Sequence, residues 1–199
     1  MDVSVEQHWD YSSLIKPCAG EELSGDVVVI QTLESGLFVA VADVLGHGPK
    51  AHELTLVIQA YLGRYANSDV GALMSGLHQH LQGSRGAVAV LCAMNSETGC
   101  AAFAGIGNVS FRRFGSENSR LVSQYGVLGQ NMRSPRIQTL QLEANDTVLI
   151  YSDGVNDHFT LDDYPGLLCQ EPSQVSSNVI ARFGKGHDDA ACVAIRYTL

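Results

Sequence analysis

The chain has 199 residues, 45% of them hydrophobic and 17% charged. That balance supports a sizeable core and excludes wholesale disorder. Twelve Lys or Arg residues against 21 Asp or Glu leave a net charge of −9. This argues against a nucleic-acid or anionic-membrane surface and suits divalent cations or basic partners.

No stretch approaches the ~20 apolar residues of a membrane span. Met1-Asp2-Val3-Ser4 carries neither the basic region nor the apolar core of a signal sequence. The five cysteines (Cys18, Cys92, Cys100, Cys169 and Cys192) are odd in number and form no CxxC pair. Cys92 and Cys192 lie in apolar runs and read as small core residues. A reduced, cytoplasmic compartment is expected. Without repeats or linkers, residues 1–199 read as a single domain.

In chain order, residues 27–30 and 37–42 read as strands joined by the turn Glu34-Ser35-Gly36, the pattern of a hairpin. The second strand is apolar at every position, so both its faces should be covered. From Pro49 the period changes. Leu54, Val57, Ile58, Tyr61, Leu62 and Tyr65 follow helical spacing. Ser68 or Asp69 can cap a second helix carrying Leu73, Met74, Leu77 and Leu81. The short join predicts that the two pack antiparallel. Strands follow at 87–94, 101–106, 109–114 and 147–151, then a helix at 173–183 and a last strand at 190–197. This order predicts an α+β fold with a sheet core and helices outside.

Acidic residues recur at strand ends. Asp26 precedes one apolar strand, Asp43 follows another, Asp153 follows a third, and Asp188-Asp189 precede the last. A carboxylate at a core rim is costly unless it is paired, hydrogen-bonded or bound to a cation. No Lys or Arg adjoins Asp26, Asp43 or Asp153 in sequence. If their strands are neighbours, these acids converge as a site for a hard divalent cation. Ordinary caps and turns are the other reading. Gly46 and Gly48 flank His47 and allow a sharp backbone turn before the helix, which could bring the Val44 carbonyl toward the same place.

The motifs Ser24-Gly25-Asp26, Val41-Ala42-Asp43-Val44-Leu45-Gly46-His47-Gly48, Tyr151-Ser152-Asp153-Gly154 and His187-Asp188-Asp189-Ala190 occur in this order. Together they resemble the metal-dependent protein phosphatases (PPM, or type 2C), most closely the bacterial SpoIIE-like branch. Arg85-Gly86-Ala87 before a strand and Gly107-Asn108-Val109 at a hairpin resemble the small stressosome feedback phosphatases within it.

The resemblance implies a β-sandwich flanked by pairs of antiparallel helices, with two Mn²⁺ (or Mg²⁺) ions at one end. It implies that Asp43 bridges both metals and that the Val44 carbonyl binds one of them. It assigns Asp26 to the second metal, and Asp153 and Asp188 to the first. Asp189, Gly46, His47, Gly48 and Gly154 would support these ligands. His47 is open to two readings: general acid, or a residue that packs the turn and bonds backbone. Lys16 and Lys50 are candidates by position for a phosphate-contacting cation. The implied reaction is hydrolysis of phosphoserine or phosphothreonine by a metal-activated water, without a protein nucleophile. The implied partners are phosphorylated STAS-domain proteins, from the stressosome scaffold or of the anti-anti-sigma type. Another regulatory phosphoprotein and a non-catalytic phosphoprotein-binding module stand as alternatives. Substrate choice would lie in surface loops such as 124–136.

Overall fold

The computed structural model describes residues 8–157, 159, 164 and 166–198. Residues 1–4, read above for a signal sequence, lie outside them. Among the described residues, ten strands form two five-stranded antiparallel sheets. The first contains β1 (Trp9–Lys16), β6 (Ser110–Phe114), β7 (Ser119–Leu121), β9 (Thr147–Tyr151) and β10 (Ala190–Tyr197), in the order β1-β10-β9-β6-β7. The second contains β2 (Asp26–Leu33), β3 (Gly36–Val44), β4 (Ala87–Asn95), β5 (Cys100–Ile106) and β8 (Gln138–Gln141), in the order β2-β3-β4-β5-β8.

The uninterrupted apolar run of β3 follows from its position. Leu37, Val39 and Val41 face the other sheet, where they meet Val148, Ile150 and Val193. Phe38, Ala40, Ala42 and Val44 face helices α1 (Pro49–Tyr65) and α2 (Val70–His80), packing with Ile58, Leu62, Met74 and Leu77. The opposite sheet has the same alternation. Its outer residues Leu149, Tyr151, Cys192 and Ala194 pack against Val175, Val179 and Ile180 of α3 (Pro172–Phe183). The helix pair therefore covers one face. Among the described residues, α3 and the 3₁₀ turn Leu167–Cys169 cover the other. No described helix is long and apolar enough to cross a membrane.

The expected hairpin, the first two helices, the four middle strands, the last helix and the last strand are all present. Asp69, not Ser68, is the cap of α2, its side chain accepting from the Ala72 amide at 2.9 Å. Cys92 and Cys192 are fully buried, and burial pushes both thiols up. Three strands went unread. β1 has the mixed sequence WDYSSLIK and is ordered by an eight-residue ladder with β10. β7 and β8 are only three and four residues long, with a single leucine each among polar residues, and exist because a neighbouring strand pairs with them.

Candidate metal centre

The register of the β2–β3 hairpin sets Asp26 directly opposite Asp43. The Val44 amide bonds the Gly25 carbonyl at 3.0 Å, one step further along. Asp26 and Asp43 thus form a non-hydrogen-bonded pair, the kind whose side chains stand closest. Alternation puts both on the face that carries Leu37, Val39 and Val41, so both project between the sheets. In the opposite sheet, continuing β9 beyond Ile150 puts Ser152 in the same gap, and extending β10 back from Ala191 does the same for Asp189. The four motifs meet at one end of the sandwich for this reason.

Their contacts are specific. The Ser152 hydroxyl donates to Asp26 Oδ2 at 2.6 Å and accepts from the Ala191 amide at 2.9 Å. Asp189 accepts the Cys18 amide on one oxygen (2.8 Å) and the Gly25 amide on the other (2.7 Å). With both oxygens occupied and 4% exposure, it ties the two sheets together. Asp153 accepts from Asn108 Nδ2 at 2.6 Å and is a hydrogen-bonding neighbour of Asp43. Asp188 caps its own turn, accepting the Asp189 amide at 3.0 Å. Gly154 is required by close approach: a Cβ there would stand 1.8 Å from the Asp189 carbonyl oxygen. Gly46 (φ 88°) and Gly48 (φ 73°) supply the left-handed backbone that turns β3 into α1. Arg85 braces this turn through the Leu45 carbonyl at 3.0 Å. His47 is exposed, its Nδ1 3.2 Å from Glu21 Oε1.

The electrostatics are those of crowded acids. Burial, then the charges of Asp26, Asp153, Asp188 and Asp189, push Asp43 up to about 9. Burial also pushes Asp26 up to about 7, against the hydrogen bond from Ser152. Burial and Asp188 raise Asp153, partly offset by Lys185 and Asn108. Among the described residues, no three His, Cys, Asp or Glu side chains already close around a single point.

The residues nevertheless fit a hard divalent cation. Among the described residues, Asp26 Oδ1 is buried with no hydrogen-bond partner, an acceptor that a cation or proton would satisfy. The donors are all carboxylate or carbonyl oxygens, the set preferred by Mg²⁺ and Mn²⁺. His52 bonds the Ser24 carbonyl (3.0 Å) and His78 accepts the Gly129 amide (3.1 Å), so both are occupied structurally.

The raised carboxyls predict a pH dependence. The metal-free fold binds protons on Asp26 and Asp43 that the unfolded chain, with carboxyls near 4, has already released. Its stability is therefore greatest at acid pH and falls as pH rises through about 7 and then about 9. Melting in EDTA between pH 5 and 9 should show a declining Tm, and saturating Mn²⁺ should flatten the decline. A Tm that rises across this range in EDTA would contradict it.

Sequence reading missed Ser152 as the anchor of Asp26 and Asn108 as the partner of Asp153. The motifs Tyr151-Ser152-Asp153-Gly154 and Gly107-Asn108-Val109 carried the signal for both.

The architecture matches that of type 2C (PP2C) protein phosphatases. A chain described with the bacterial stressosome, as a modular system adapted to control secondary messenger signaling, superposes with a TM-score of 0.86 at 25% identity, covering 94% of this chain and 99% of that one. RsbX in complex with magnesium gives 0.81 at 22%, covering 96% of each. The Mycobacterium tuberculosis serine/threonine phosphatase PstP/Ppp gives 0.74 at 15%, covering 96% and 99%. No curated protein is significantly similar in sequence. The model of the stage II sporulation protein E (SpoIIE) family matches residues 34–198, and the chain belongs to that family.

Proposed function

We propose that this chain is a Mn²⁺- or Mg²⁺-dependent phosphoserine/phosphothreonine protein phosphatase acting in the cytoplasm on phosphorylated STAS-domain proteins of a stressosome. The observation that carries the reading is the buried, unpartnered Asp26 oxygen opposite Asp43, at the point where four acidic motifs meet. Similarity to RsbX and to the stressosome chain supports the choice of partner.

Asp26, Asp43, Asp153, Asp188 and the Val44 carbonyl would hold two ions. Bound there, such ions supply Lewis acidity and an activated water. The chain's own part is positional. Ser152 fixes the Asp26 carboxylate, Asn108 fixes Asp153, and Asp189 holds the sheets at the spacing that brings these groups together. Cys92 and Cys192 are buried with raised thiols, which suits a reaction needing no protein nucleophile.

The test is phosphate release from a serine-phosphorylated STAS-domain protein, with Mn²⁺ and with EDTA. Release in Mn²⁺ and none in EDTA is expected. Mn²⁺ binding without release would overturn the substrate assignment. Neither binding nor release would favour a non-catalytic phosphoprotein-binding module.

A further inference from the structure

A cleft of about 400 Å³ lies beside Asp153, lined in part by Asn108, Ser110, Arg120, Asp157 and Lys185. Two of these residues are cations, and they are in different states. Arg120 is neutralised: its guanidinium pairs with Asp157 and donates to Ser110 Oγ at 3.1 Å. Lys185 is placed differently. Among the described residues no carboxylate lies within ion-pair distance of it, and its Nζ donates to the Asp153 backbone carbonyl. An ammonium has three donors, so two remain for a ligand.

The position of Lys185 is built in. Its amide bonds the Gly154 carbonyl at 2.7 Å, and its own carbonyl accepts the Asp188 amide at 3.4 Å. The residue thus bridges the two segments that present Asp153 and Asp188. A phosphate monoester approaching this end of the sandwich meets a cluster of carboxylates, and a fixed point charge at the cleft offsets that repulsion. Lys16 and Lys50, the earlier candidates by position, are exposed and do not line the cleft.

We propose that Lys185 is the phosphate-contacting cation of this chain, and that the cleft receives the phosphorylated serine or threonine. The assignment rests on the phosphatase reading above. The experiment compares wild type, Lys185→Met and Lys185→Arg in Mn²⁺. It measures KM for a serine-phosphorylated peptide, the calorimetric Kd of inorganic phosphate, and the affinity for Mn²⁺. Lys185→Met should raise KM and the phosphate Kd about tenfold, the loss of one charged contact. Its Mn²⁺ affinity should match wild type, and Lys185→Arg should recover most of the loss. An unchanged phosphate Kd in Lys185→Met would overturn the assignment. So would a parallel fall in Mn²⁺ affinity, because Lys185 would then act by holding the Asp153 segment. A wild type that turns over no peptide but binds phosphate through Lys185 would overturn the phosphatase reading and leave the anion site standing.

Discussion

Asp43→Asn should abolish Mn²⁺ binding and lower turnover by about 10³-fold or more, while the metal-free protein melts at a higher temperature than wild type. The two effects have one cause. Asp43 is buried and then crowded by Asp26, Asp153 and Asp188, and its carboxyl is pushed up to about 9. At neutral pH the metal-free fold therefore holds it protonated, while the unfolded chain gains free energy by ionising it. Asn keeps the shape and cannot ionise, so the hairpin register with Asp26 survives and that gain of the unfolded chain is lost. The same change deletes the anionic oxygen donor best placed, opposite Asp26, to share a cation. Calorimetry with Mn²⁺, phosphate release and a melt in EDTA test the three parts together. Retained activity would remove Asp43 from the site. A lower Tm in EDTA would mean that its charge is compensated in the fold.

Asp189→Ala should act in the opposite direction on stability, lowering it by about 2–5 kcal/mol. For a chain of this length that corresponds to a Tm lower by about 5–15 °C. Asp189 is buried, and its two oxygens accept the amides of Cys18 and Gly25. Alanine leaves both amides without an acceptor at the junction of the two sheets. That loss exceeds the relief from removing one acid, because this carboxylate is already solvated by backbone donors. Mn²⁺ affinity should also weaken, through displacement of the β2 start that carries Asp26. Thermal melts in EDTA and in Mn²⁺ decide it. A Tm in EDTA that rises, as for Asp43→Asn, would show Asp189 to be another repelling carboxylate.

These two aspartates show how far a linear reading reaches. Both stood out as acids at strand ends, and nothing in their neighbours distinguished them by contact. What tells the rim acids apart is partners from distant parts of the chain: Asp189 reaches amides 171 and 164 residues away, and Asp26 is anchored by a serine 126 residues away. Lys185 makes the same point. No basic residue adjoins Asp153 in sequence, yet Lys185 bonds its carbonyl across 32 residues. His47, open in the sequence to a catalytic and a packing reading, stands exposed beside Glu21 in the fold.

Local periodicity, by contrast, carried most of the architecture. The unbroken apolar run of β3 required cover on both faces, and the helical spacing after Pro49 supplied one cover. Those patterns are legible because side-chain direction repeats every two residues in a strand and every 3.6 in a helix. Strands β1, β7 and β8 lack such a pattern, since their order comes from the ladder that each joins. The patterned strands and helices, the hairpin and the acidic residues at the rim were legible along the chain. Contacts between distant segments settled that these acids share one end of the sandwich, which of them is tied to backbone, and which cation stands beside them. Register between strands and stacking between sheets are long-range choices, made by burying two faces of each sheet at once, and no local window of the chain contains them.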